Sequence, residues 1–177
     1  MKIFKETQRF DQWWLIVLMI FVLLISFYSV YQKFKILDDD DNSKIIALVT
    51  TIGTLFVVNL FIFSLKLKIR IDERGITYQF FPIHFKPKNI AWPELNTCYV
   101  RKYSPVKEYG GWGIRALNKK VLMGFKGNGK AYNVKGNMGI QLEFKDGGKL
   151  LFGTQEPEKA RQVIKTYSNK LNSNSDF

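Results

Sequence analysis

The hydrophobic pattern changes period twice along the chain. Residues 13–31, WWLIVLMIFVLLISFYSVY, and 45–65, IIALVTTIGTLFVVNLFIFSL, are long apolar runs free of charge, the second broken by Asn59. At ~1.5 Å per residue each reaches ~28–32 Å, the thickness of a bilayer's hydrocarbon core, so both are predicted as transmembrane helices. A signal peptide is the rival for the first run. That run is too long and bulky, and no small-residue cleavage site follows Ser29, which points to an uncleaved anchor. Trp13 and Trp14 at one end, with Tyr28 and Tyr31 at the other, have the placement of interfacial aromatics.

From Leu65 the period becomes two. Leu65, Leu67, Ile69 and Ile71 alternate with Lys66, Lys68, Arg70 and Asp72, the signature of a half-buried strand. Arg74 and Gly75 turn the chain into a second strand, ITYQFFPI, which Pro82 and Pro87 interrupt. NIAWPEL leads into a third, NTCYVRKY, and SPVKEYGGWG reads as a loop. Further strands are predicted at GIRAL, KVLMGF, KAYNV, GIQLEFK and KLLFGT, the last two joined by a hairpin at Asp146, Gly147 and Gly148. After Thr154 the spacing of Ala160, Val163, Ile164, Tyr167 and Leu171 is helical, with Pro157 in the first turn. The expectation is an α+β membrane protein: a tail and helical hairpin over 1–65, an antiparallel sandwich or barrel closed by a C-terminal helix over 66–171, and a polar tail over 172–177.

Charge adds an orientation and a class of partner. The net charge is +12, and residues 66–177 hold 21 basic groups against 9 acidic ones. Lys2, Lys5 and Arg9 before the first helix and Lys66, Lys68, Arg70 and Arg74 after the second outnumber Lys33, Lys35 and Lys44 between them. Both termini are therefore expected in the cytoplasm, with Asp38 to Asp41 in a solvated outer turn. A basic domain tethered without a linker meets anionic lipid first. Lys66, Lys68 and Arg70 are accordingly candidate lipid-facing residues. Cys98, the sole cysteine, excludes an internal disulfide and a cysteine-based zinc cluster.

Chemistry is sparse. GFKGNGKAYN, residues 124–133, places Gly124, Gly129 and Lys130 at the spacing of a phosphate-binding loop. Ala131 stands where Ser or Thr would reach a magnesium ion, and KAYNV alternates like a strand where a helix is needed. Gly127 to Gly129 then form a hairpin turn. His84 has no second histidine or placed carboxylate as a partner, and no carboxylate pair has acid–base spacing, so no catalytic, metal or cofactor site is assigned. EYGGWGIR is the most distinctive loop. Arg101, Lys102, Lys107, Tyr109, Trp112 and Arg115 are candidates for a partner-binding patch, against the reading that the glycines permit a bulge while Trp112 plugs the core. Trp92 is expected in the core.

The stretches IAWPEL (90–95), EYGGWGIR (108–115) and GIQLEFKDGGKLLFGTQEPEKA (139–160), behind a two-helix hairpin, resemble a group of uncharacterised bacterial two-helix membrane proteins with a C-terminal pleckstrin-homology-like domain. The resemblance spans roughly residues 13–170 and implies a multi-pass protein of the bacterial inner membrane. Phosphoinositide-binding relatives of that fold carry basic residues on both strands of the first hairpin. Here Lys66, Lys68 and Arg70 match the first strand alone, which leaves generic attraction to anionic lipid. The expected role is a non-enzymatic binding or scaffold module whose partners are the bilayer, anionic headgroups and another membrane or cytoplasmic protein. An enzyme or nucleotide binder built on 124–131 is the competing class, and nucleic-acid capture by the basic face ranks last because neither a recognition helix nor a stacking platform is present.

Overall fold

The computed structural model describes residues 2–36, 42–117 and 129–171. The chain divides into two compact units, Phe10–Leu65 and a second made of Met1–Arg9 with Lys66–Phe177. The first unit is a pair of packed helices, α1 (Trp13–Ile36) and α2 (Asn42–Ser64), both long and apolar enough to cross a membrane. Both extend beyond the predicted runs on the side of the connecting loop; in α1, straight-chain residues such as Gln32 and Lys35 sustain a helix nearly as well as leucine does. Their polar side chains bond to their own backbone: Thr50 Oγ1 donates to the Ile46 carbonyl at 2.7 Å and Asn59 Nδ2 to that of Leu55 at 2.8 Å. Asp38–Asp41 lie outside the described residues.

The second unit has two sheets. The first runs β1 (Phe4–Arg9), β2 (Lys66–Asp72), β3 (Gly75–Phe81) and β4 (Lys88–Ala91), all antiparallel neighbours in that order. Residues 4–9, expected as part of a tail, are thus a strand of this sheet, paired from Phe4↔Ile71 to Arg9↔Lys66. A 3-10 turn at Trp92–Glu94 leads into the second sheet, built from β5 (Leu95–Lys102), β6 (Gly113–Leu117), β7 (Gly129–Asn133), β8 (Met138–Phe144) and β9 (Lys149–Gly153) in the order β5-β8-β9-β7-β6. β8 and β9 form the predicted hairpin. β9 then inserts beside β7 in parallel, so the sheet is mixed where an all-antiparallel one was expected. A hairpin rule reads only neighbours in sequence, and β7 is not paired to β8, the strand that follows it. The predicted strand KVLMGF lies outside the described residues.

The final helix, α4 (Pro157–Thr166), packs on β1, β2, β5 and β8 through Ala160, Val163 and Ile164, while Tyr167, just past its end, donates its hydroxyl to the Lys2 carbonyl at 2.7 Å. The core between the elements holds Leu67, Ile71, Ile76, Phe80, Trp92, Leu142, Leu151 and Phe152, each no more than 1 % exposed.

Glu6 is an inward-facing carboxylate in this core. It accepts from Thr154 Oγ1 at 2.6 Å and from the Gln155 amide at 2.7 Å. Burial pushes its pKa up, and these two donors offset the rise only in part. A carboxyl that binds its proton more tightly when folded stabilises the fold fully below its unfolded pKa, and that contribution is lost as pH rises through the folded value. Glu6→Gln is therefore expected to improve in stability relative to the parent between pH 4.5 and pH 7, read as melting temperatures of the two proteins in detergent at each pH. A gap that does not change with pH would refute the burial assignment.

Candidate functional site

Alternation along β1 and β2 turns one set of side chains into the core and the other outward. On the outer face Lys5 stands opposite Arg70, Thr7 opposite Lys68 and Arg9 opposite Lys66. Directly opposed side chains have Cβ atoms ~4.5–5.5 Å apart, so these five cations form one basic ladder. The candidates Lys66, Lys68 and Arg70 are brought together as expected. Lys5 and Arg9 complete the face, and the sequence signal for them was a period-two alternation in FKETQR hidden by polar Glu6 and Gln8 on the inner side.

β3 extends the face with Thr77 and Gln79, which lie opposite Arg70 and Lys68. Between them lies an open groove of about 240 Å³ whose lining includes Lys5, Thr7, Lys68, Arg70, Thr77, Gln79 and Pro87. Asp72 closes the ladder at its far end, accepting from Arg70 Nε at 2.7 Å and from the Arg74 amide at 3.0 Å. Burial pushes its carboxyl up, but the Arg74 amide and the Arg70 guanidinium outweigh burial and hold it below the usual carboxylate range. Lys68 and Lys5 are exposed. The Gln79 amide donates to the His84 and Phe85 carbonyls and the Thr77 hydroxyl to Asn89 Oδ1, so attraction of this face for an anion rests on its cations.

The second candidate region resolves differently. SPVKEY forms a short helix, α3 (Pro105–Tyr109), where a loop was expected. Five residues do not hold a helix by propensity, so the ends hold it. Ser104 caps the start, the Glu108 carboxylate accepts from the Ser104 amide at 2.8 Å, and the amides of Gly110 and Gly111 return to the carbonyls of Val106 and Pro105 at 2.8 and 2.9 Å. Gly110 adopts φ +72°, the left-handed cap that glycine supplies most cheaply.

Of the six residues named in this loop, two serve the fold. Tyr109 is fully buried against Tyr103, Ala131 and Leu151, which removes its ring from any surface patch. Arg101 clamps the helix, donating to Glu108 Oε2 at 2.8 Å, to Gln141 Oε1 at 3.0 Å and to the Tyr109 hydroxyl at 3.3 Å. Trp112 is half-buried, so it neither plugs the core nor projects freely, and its indole donates to the Gly136 carbonyl at 3.1 Å. Arg115 bends back to the Trp112 carbonyl at 3.1 Å. Lys102 and Lys107 are exposed. This region is a structural corner more than a convergent site.

Other chemistry stays scattered. Gly124–Asn128 lie outside the described residues. Gly129 and Lys130 open a strand, with Lys130 paired to Leu150, so no helix N-terminus follows the lysine. A Cβ at Gly129 would sit 2.4 Å from the Lys149 carbonyl, which explains that glycine by close backbone approach. His84 packs edge-on against Tyr78 and Tyr132, and burial, with Lys88 nearby, lowers its pKa. Cys98 is buried and its thiol is pushed up to about 12, far from a reactive thiolate. Among the described residues, no group of three or more His, Cys, Asp and Glu side chains converges as a metal site would require. No family model, curated protein or solved structure matches the chain.

Proposed function

We propose that this protein is a membrane-anchored binding module, multi-pass in a bacterial inner membrane, whose basic sheet face docks on the anionic cytoplasmic leaflet. The observation that carries the reading is the ladder of Lys5, Arg9, Lys66, Lys68 and Arg70 on the strand pair whose ends continue into α1 and α2. Three residues separate Arg9 from α1, and Leu65 alone separates α2 from β2, so at ~3.5 Å per residue the ladder has little freedom to leave the headgroup layer. The large apolar side chains along both helices support membrane insertion. Phe21 is 59 % exposed and Val57 is 63 % exposed, an arrangement water penalises and acyl chains accept. Pairing of β1 with β2 supports placing both flanks of the hairpin on one side of the membrane, and the lysine and arginine tally favours the cytoplasm for that side. The likeness to a pleckstrin-homology domain belongs to the same proposal. It draws support from the four-stranded meander and the terminal helix packed on strands of both sheets, while the parallel β7 and β9 pair departs from that pattern.

Lysine reactivity mapped by mass spectrometry on the full chain in nanodiscs tests the docking. Each well-placed cation near an anionic surface is worth ~1 kcal/mol. Lys5, Lys66 and Lys68 are expected to lose reactivity several-fold in anionic discs relative to neutral ones and to regain it at high salt, whereas Lys145 and Lys159 stay unchanged. Equal reactivity in both lipids would sink the docking reading.

A further inference from the structure

The end of β3 and its connection to β4 carry an apolar surface that the described residues leave exposed. Phe81 is 37 % exposed, Ile83 51 % and Phe85 80 %. Exposed apolar residues are ordinary when single, and three large ones within five positions are not. Slack backbone does not explain them. The His84 amide donates to the Phe80 carbonyl at 2.7 Å, and Gln79 Nε2 donates to the carbonyls of His84 at 3.1 Å and Phe85 at 3.0 Å. The His84 ring lies inward, 5.8 Å from the Tyr78 ring and 5.4 Å from that of Tyr132. With the half-buried His84 ring held against Tyr78 and Tyr132, its neighbours Ile83 and Phe85 point outward, and Phe85 meets Phe81 edge-on at 6.4 Å. Exposed Lys86 and Lys88 follow directly.

The position of this loop in the sheet identifies its occupant. Phe81 pairs with Lys66, and Lys66 pairs with Arg9. Those two basic residues are where the chain leaves for the apolar helices and where it returns. The loop therefore runs off the same end of the sheet as both helix connections. We propose that Phe81, Ile83 and Phe85 form a second membrane contact, inserted into the interfacial layer of the bilayer that holds the helices, with Lys86 and Lys88 at the phosphate level. An apolar tip rimmed by lysine is the composition that the headgroup and acyl boundary of an anionic leaflet accepts. Three side chains fall well short of the ~800 Å² per partner that a stable protein interface buries. Inserted at this point, the loop would add a third attachment beside the two helix connections and set the tilt of the sheet on the membrane.

This inference rests on the membrane reading above, and the test separates the two. Single cysteines are introduced in the full chain as Phe85→Cys, Phe27→Cys and Asp146→Cys, labelled with an environment-sensitive fluorophore, and measured in nanodiscs with and without lipids bearing a nitroxide quencher. Cys98 stays unlabelled at neutral pH because its thiol is buried and its pKa is about 12. The expected result is quenching and blue-shifted emission at positions 27 and 85, with neither at 146. Quenching at 27 without quenching at 85 overturns the loop contact and leaves the membrane reading standing. Absence of quenching at both overturns the two together. Shielding at 85 that ignores lipid quencher but grows with the number of chains per disc assigns the patch to a second copy and likewise overturns the proposal.

Discussion

A chain shortened to begin at Lys66 is expected to fail to fold, although it retains the whole region that reads as a soluble domain. It loses β1 and with it six paired residues, the burial of Phe4 at 3 % exposure, and the bonds that join Glu6 to Thr154 and Gln155 and Gln8 to the Gly153 carbonyl at 2.6 Å. Truncation of a buried phenylalanine alone costs ~3–5 kcal/mol, and each net hydrogen bond adds ~0.5–1.5 kcal/mol. Those losses together rival the ~5–15 kcal/mol that holds an ordinary domain folded. The cut also leaves β2 as an open hydrophobic edge, a template for aggregation. A complementary variant keeps residues 1–9 and replaces 10–65 with a short glycine-containing turn between Arg9 and Lys66, which are already paired. It is expected to be monomeric and to show a cooperative melt by circular dichroism and size-exclusion chromatography. A well-folded 66–177 fragment would refute the assignment of β1 as an integral strand.

Trp92→Ala is expected to be the most damaging single substitution, at ~3–5 kcal/mol from the cavity alone, or a melting temperature lower by roughly 10–20 °C. Trp92 is 1 % exposed, its ring lies 5.7 Å from that of Tyr167, and its indole donates to the Asp72 carbonyl at 2.9 Å. It therefore joins the end of β2, the turn between the two sheets and the end of the C-terminal helix. Trp92→Phe keeps most of the volume and abandons the hydrogen bond, for which ~1–3 kcal/mol is expected because a buried carbonyl is left without its donor. Thermal melts of the two variants beside the parent separate cavity from hydrogen bond. Comparable losses in both would mean that the bond outweighs the packing.

Elements with a strong local period were legible in the residues. The two apolar runs, the alternation of Leu67, Ile69 and Ile71, the turn at Asp146 to Gly148 and the stripe of Ala160, Val163 and Ile164 all reappear as helix, strand, hairpin and helix. The basic candidates on β2 were legible for the same reason, since a strand with one buried face must turn its other face outward. Tyr109 was not. Its burial depends on a short helix held by end caps and on an Arg101 clamp that reaches across to β8, neither of which leaves a periodic mark.

The sequence by itself determined the helices, most of the strands and the sign of the charge, because each depends on the period of apolar residues or on counting ionisable groups. Tertiary structure decided what those parts amount to. It made FKETQR a strand, since the two polar side chains on its inner face become favourable only beside Gly153, Thr154 and Gln155, some 145 residues away along the chain. It merged Lys5 and Arg9 with Lys66, Lys68 and Arg70 into one ladder across a gap of more than fifty residues. It also turned His84 inward and Ile83 and Phe85 outward. In each case the deciding contact joins residues distant in sequence, and a reading of local period has no access to such contacts.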